Sequence, residues 1–226
     1  MKTAALFFVL ALPFHSSVTQ VCGFDFFYLV LQWPGSFCDT EQKCCYPNSG
    51  KPDAEFLIHG LWPNNNDGSY PSNCDPDNSF ASSQISDLIS NMEANWPSLA
   101  CPSSNNYSFW AHEWNKHGTC ADSIFNEHDY FEAALNLKDK VDILQILSSS
   151  GIEPNDNSYS LSSIEEAIQT GFGFSSVIDC NKDASGSIQL YQVQLCVDKT
   201  GTSFIACPDS SSGSGRCSSE VKFPSF

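Results

Sequence analysis

FDFFYLVLQW, residues 24–33, is an aromatic and aliphatic run interrupted only by Asp25 and Gln32 and ended by Pro34 and Gly35. Such residues favour extended backbone, and the run predicts a central, buried strand. Outward from it, Ile85, Leu88, Ile89, Met92 and Trp96 fall at helical spacing until Pro97 stops them. A second helical stripe covers Tyr130 to Leu147. Ser162 and Glu165 form a capping box for a short helix ending near Gly171. Towards the C-terminus, Tyr191, Val193, Leu195 and Val197 alternate with Gln192 and Gln194, and Lys199-Thr200-Gly201 turns into another extended run. Strands at both ends with helices between them predict an α+β fold in which a central antiparallel sheet packs with several helices.

The chain has 226 residues, 41% of them hydrophobic, enough to bury the core of one domain. Lys2 followed by the apolar run Ala4 to Phe14 is too short to span a bilayer and reads as a secretory leader, residues 1–23, cut before Phe24, with a cut after Thr19 as the alternative. Residues 24–226 then form a single domain, with no membrane contact once the leader is gone. Eleven cysteines make an odd set for an oxidising compartment. Cutting before Phe24 removes Cys22 and leaves ten, whereas retention would leave it as a free or intermolecular thiol. Adjacent Cys44 and Cys45 do not pair with each other, and spacing alone chooses no pairing. A net charge of −16 with a single arginine, Arg216, argues against broad electrostatic binding of DNA or RNA, so an anionic ligand needs a local site.

Of five histidines, His15 belongs to the leader, and three others lie in two motifs: His59 in FLIHGLWPNN, and His112 and His117 in FWAHEWNKHGTC. His128, in NEHDYF, reads as a hydrogen-bonded core residue. On a helix, Glu113, Lys116 and His117 share one face at i, i+3 and i+4. Flanking Phe109, Trp110 and Trp114 would bury part of that set, which a solvated helix face does not need. A zinc helix needs histidines four apart, and these are five apart with a lysine between them. CDPDNS, residues 74–79, lacks the ligands of a calcium loop. No metal or other cofactor is expected, and no G-x-S-x-G elbow supports a serine triad. Two imidazoles with a lysine and a glutamate suit phosphoryl transfer: one imidazole takes a proton from a hydroxyl, the other gives one to the leaving oxygen, and the cation stabilises the transition state. RNA supplies its own hydroxyl nucleophile.

IHGLWP together with FWAHEWNKHGTC resembles the ribonuclease T2 family of secreted acid ribonucleases, especially the plant S-like members. The likeness extends through FDFFYLVLQWPGSFC, KCCYPNSGKP, NWPSLACP, LYQVQLCVD and KFPSF. The resemblance implies His117 as general base, His59 as general acid, Glu113 and Lys116 stabilising the pentacovalent phosphate, His112 holding phosphate and Trp62 packed in the site. Base-binding positions fall on Gln32, Phe37, Ser98, Leu99 and Phe109; Phe37 replaces a frequent tyrosine and so leaves base preference open. The implied disulfides are Cys38–Cys44, Cys45–Cys101, Cys74–Cys120, Cys180–Cys217 and Cys196–Cys207. Asn106-Tyr107-Ser108 is a glycosylation sequon. The expectation is therefore a monomeric, secreted or vacuolar endoribonuclease that cleaves single-stranded RNA, not DNA, without metal. Its route runs through a 2′,3′-cyclic phosphate to 3′-phosphate ends, with an acid optimum. A storage or defence protein of the same fold would most simply lack one catalytic histidine, and both are present.

Overall fold

The computed structural model describes residues 23–208 and 216–226. Residues 1–22, with Cys22 and nearly all of the expected leader, lie outside the described residues, as does most of the loop that precedes Cys217. In chain order the elements are β1 (Phe26–Gln32), α1 (Pro34–Cys38), β2 (Leu57–Asn64), a 3-10 turn (Ser82–Ile85), α2 (Ile89–Asn95), α3 (Asn106–Lys116) and a second 3-10 turn (Gly118–Ala121). There follow α4 (Glu127–Lys138), α5 (Ile143–Ser149), β3 (Ser158–Ser160), α6 (Leu161–Phe172), β4 (Val177–Lys182), β5 (Ile188–Val197) and β6 (Glu220–Lys222).

β1 lies between β2 and β5, and all seven of its residues are buried. Phe27, Leu29 and Leu31 face the main core, while Phe26, Tyr28 and Val30 form a smaller cluster on the opposite face with Cys196. Apolar cover on both faces explains why the strand reads as a run and not as an alternation. The sheet runs β2-β1-β5-β6-β3, with β4 also on β5. Its ladders are antiparallel except for one parallel contact, Gln189 with Lys222, so the sheet is mixed and not purely antiparallel.

The helices depart from the expected stripes where polar caps intervene. Ile85, Met92 and Trp96 are buried, but Ile85 ends a 3-10 turn that is separate from α2. The Tyr130–Leu147 stripe is two helices, because the Asp142 side chain accepts from Gln145 N at 2.9 Å and starts α5 anew. α6 is capped by Ser160, two residues before Ser162 of the expected box, and ends at Gly173 in the left-handed region at φ 93°. His128 is not a core residue. It sits near the start of α4, where its Nε2 lies 3.1 Å from Asp87, and Asp87, with Asp129 and Glu132, raises its pKa.

Two irregularities in the sheet shape the site. Val30 pairs with Gly60 and Leu31 with Ile58, which leaves His59 unopposed on β2. Across β5, Asp179 pairs with Gln192 and Cys180 with Leu190, which leaves Tyr191 unopposed. In a regular strand, residues three apart point to opposite faces. The bulge at His59 instead lets Ile58 and Leu61 both enter the core while His59 and Trp62 share the other side. Tyr130 holds this segment from behind, donating its hydroxyl to Leu61 O at 2.8 Å.

The ten described cysteines form Cys38–Cys44, Cys45–Cys101, Cys74–Cys120, Cys180–Cys217 and Cys196–Cys207. Cys45–Cys101 fastens the chain before α3, and Cys74–Cys120 fastens the turn after it.

Candidate active site

α3 begins where the Asn105 side chain accepts from Ser108 N at 3.0 Å. Trp110 and Trp114, four apart, bury one side of the helix and donate their indole N–H groups to Trp96 O at 2.8 Å and Asn78 O at 2.9 Å. Glu113 is buried on the helix at 1% exposure, His112 is exposed and Lys116 half-buried. His117 is not a further helical residue. It is the C-cap, at φ −115° and ψ −49°, still bonded through its N–H to Glu113 O at 2.9 Å, and its imidazole meets Trp62 of β2.

Trp62 joins the two motifs. Its indole stacks on the His117 ring with centroids 5.0 Å apart and planes at 19°, and it meets the His59 ring edge-on, also at 5.0 Å. Its Nε1–H donates to Glu113 Oε2 at 2.8 Å, while His59 Nε2 stands 3.9 Å from Glu113 Oε1. Gly60 makes this approach possible: a Cβ there would fall on the Trp62 indole nitrogen and Glu113 Oε2. The backbone of His59 is anchored too, since Trp96 Nε1–H donates to His59 O at 2.9 Å. All five tryptophans of the chain thus place their N–H on an oxygen, Trp33 using Pro224 O at 2.8 Å.

Burial sets the charge states. It lowers the His117 pKa to about 3, helped by Lys116, His59 and His112, and lowers that of His59 to about 4, helped by His112 and Lys116. Desolvation also lowers His112. The same desolvation raises Glu113 to about 8, against the Trp62 hydrogen bond and Lys116. Through the range between these values both partners of the 3.9 Å His59–Glu113 approach are neutral, so it is a polar contact and not an ion pair. His117 Nδ1 is buried with no protein hydrogen-bond partner among the described residues, a setting that favours its neutral form.

The structure brings His59, Trp62, Glu113 and His117 into contact, with Lys116 and His112 close enough to act on both histidines. Phe109, half-buried, lies 5.8 Å from His59 between ring centroids. Gln32, Ser98 and Leu99 are buried, at 3%, 5% and 2% exposure, and Phe37 is half-buried on α1. Ser98 follows Trp96, which grips His59, and Gln32 pairs in β1 with Gln192 of β5, which also touches His59. Asn106 spends its side-chain oxygen on Ser98 N at 2.8 Å.

Other residues became visible only in three dimensions. On the His117 side, an open cleft is lined by Tyr28, Asn64, Tyr70 and Gln194 together with Trp62, Lys116 and His117. Gln192 places Nε2 2.6 Å from His59 Nδ1. Alternation along β5 marks Gln192 and Gln194 only as the polar face of a strand, and nothing local says that this face is a site.

Among the described residues, side chains with donor atoms close enough to share a cation are His128, Asp129 and Glu132, at the start of α4 and away from Trp62 and its partners. Both ring nitrogens of His128 already face carboxylates, Asp87 at 3.1 Å and Asp129 at 3.5 Å.

The profile of the ribonuclease T2 family matches residues 24–207. The chain is 57% identical over 203 residues to Ribonuclease 1 of Arabidopsis thaliana, covering 90% of this chain and 87% of that protein. It is 57% identical over 204 residues to Extracellular ribonuclease LE of Solanum lycopersicum, covering 90% and 88%. The crystal structure of RNase NT in complex with 5′-AMP superposes with a TM-score of 0.84 at 54% identity, covering 90% of this chain and all of that one. The matched span contains both histidine motifs and the tryptophan between them, and the chain belongs to the ribonuclease T2 family as a T2-type endoribonuclease.

Proposed function

We propose that this protein cleaves single-stranded RNA by metal-independent transesterification, with His117 as general base and His59 as general acid. The observation that carries the reading is the pair of imidazoles set against one indole, each 5.0 Å from it, with Lys116 acting on both. His117 takes the proton of the 2′-hydroxyl, and the 2′-oxygen attacks phosphorus. The 5′-oxygen departs with a proton from His59, leaving a 2′,3′-cyclic phosphate. Water then opens the cycle with the two histidines in reversed roles, giving a 3′-phosphate.

Lys116 offsets the charge that develops on the phosphoryl oxygens, and His112 holds phosphate at the rim. A carboxylate beside that phosphate would oppose the reaction. Glu113, kept protonated by burial, instead donates a hydrogen bond to a phosphoryl oxygen. A lysine in the centre of the site supplies the positive charge that a metal would otherwise bring, so no cofactor is required.

The cleft beside His117 suits one base, with Tyr28, Asn64 and Tyr70 at hand. Phe109, with Phe37, Gln32, Ser98 and Leu99, suits the base on the leaving side. Stacking on these rings requires unpaired bases, which selects single strands over duplex. The mature enzyme is residues 24–226, a monomer, secreted to the exterior or the vacuole after loss of the leader. In a gel cast with RNA, the wild type clears the lane and His117→Ala does not; equal clearing by both rules out His117 as the base.

A further inference from the structure

His59 is held at its Nδ1 by a residue that the reaction scheme does not use. Gln192 Nε2 lies 2.6 Å from that nitrogen. Gln192 is 3% exposed and stands in β5 opposite Gln32. It follows the unopposed Tyr191 directly, so the bulge that displaces Tyr191 also sets where the Gln192 amide falls. A buried carboxamide is costly when left unpaired, and an aliphatic residue would fill the same strand position without that cost. Here the amide reaches the imidazole of the proposed general acid, while the same side chain also bonds the neighbouring Tyr191 side chain.

We propose that Gln192 is a positioning residue for the cleavage reaction, gripping the His59 ring by Nδ1 so that only Nε2 faces the scissile phosphate. The inference rests on His59 being the general acid. A carboxamide suits both states of the ring. Its N–H donates to a bare Nδ1, and after a half-turn its oxygen accepts from Nδ1–H when the ring carries two protons. The proton given to the leaving 5′-oxygen then comes from Nε2, and the neutral ring that remains keeps its proton on Nδ1, against the Gln192 oxygen. Water can return a proton to the freed Nε2 in the second step. Besides Gln192, the titratable and charged groups around His59 are Glu113, His112 and Lys116 of α3 and His117 at its end. None of these reaches Nδ1 by a hydrogen bond, which leaves Gln192 as the group that sets the tautomer.

Two variants test this, measured for kcat, KM and the pH profile of kcat/KM on a dinucleoside phosphate. Gln192→Leu keeps the volume and loses the grip, and lowers kcat by about 10- to 100-fold with KM within about threefold. Gln192→Glu puts an acceptor-only group on Nδ1, holds the extra proton on His59 and moves the alkaline limb of the profile upward by about one pH unit or more. If Gln192→Leu does not fold, as read from its thermal unfolding, the limb shift of Gln192→Glu decides alone. Wild-type kcat and an unmoved alkaline limb, with His59→Ala inactive, overturn the role of Gln192 and leave the acid assignment standing. An active His59→Ala overturns the acid assignment itself.

Discussion

The indole N–H of Trp62 ends 2.8 Å from Glu113 Oε2, and this bond joins β2 to α3 at the point where the two histidine motifs meet. It keeps the Glu113 carboxyl turned into the site and fixes the ring against which both imidazoles rest. Trp62→Phe keeps a smaller stacking face and removes the donor. A hydrogen bond to a buried carboxyl contributes about 1–3 kcal/mol. The expected loss in kcat/KM is therefore about 10- to 100-fold, read on a dinucleoside phosphate. A variant within twofold of wild type contradicts this role.

Gly60 has no room for a side chain. Gly60→Ala sets a methyl against the Trp62 nitrogen and Glu113 Oε2, and the site has to widen. Displacements of about 1 Å in a catalytic site cost about 100-fold in rate. The expected result is such a loss in kcat with the melting temperature changed by only a few degrees; retention of wild-type kcat shows the contact to be unimportant.

The pH profile follows from the two histidines. The base has to be unprotonated, so activity falls as pH drops through the His117 pKa, held near 3 by burial and by Lys116. The acid has to be protonated, so activity falls as pH rises through that of His59, held near 4. A bound phosphodiester raises both values by its negative charge. The profile of kcat, which reports the substrate complex, is expected to be a bell with its maximum below about pH 6, unchanged by a metal chelator. A maximum above neutral pH, or loss of activity in chelator, contradicts the scheme.

The C-terminal strand is suited to the same acid range. Lys222 Nζ lies 3.2 Å from Asp183, 3.5 Å from Asp39 and 3.8 Å from Asp156. Hydrogen bonds from Ser185 and Ser187, joined by Lys222, hold the Asp183 pKa down to about 2, and Ser225 with Lys222 lowers that of Asp156. A lowered carboxyl pKa stabilises the fold above the unfolded value of about 4, and that contribution is lost as pH falls through the folded value. Lys222→Met is expected to lower the melting temperature at pH 5 by about 2–4 °C, corresponding to about 1 kcal/mol for partly exposed pairs. The difference from wild type shrinks as pH falls from 4 to 2. A constant difference across that range rules out the ion pairs as its cause.

Much of this architecture is legible in the chain, for physical reasons. The run at residues 24–33 announces a central, buried strand, and Glu113, Lys116 and His117 at i, i+3 and i+4 are read there as one face of a helix. The break between α4 and α5 is harder to read, because apolar residues keep helical spacing across Asp142, and only its cap shows that the chain starts again. The α6 cap two residues early is the same kind of miss, since several serines there can all cap. The site is half legible. His59, His112, Glu113, Lys116 and His117 stand in compact motifs, whereas Gln192 and the Tyr28–Asn64–Tyr70 cleft depend on strand register. A bulge moves side chains across a sheet without leaving a local signature, and two bulges, at His59 and Tyr191, made this site.

The central claim is that the chain's two imidazoles cleave RNA through the substrate's own 2′-hydroxyl. Phosphorus-31 NMR of a dinucleoside phosphate during turnover tests it most directly. The expected record is a 2′,3′-cyclic phosphate that accumulates first and is then converted more slowly to the 3′-phosphate, with neither formed by His117→Ala. A 5′-phosphate, or a linear product formed with no cyclic phosphate before it, contradicts the account.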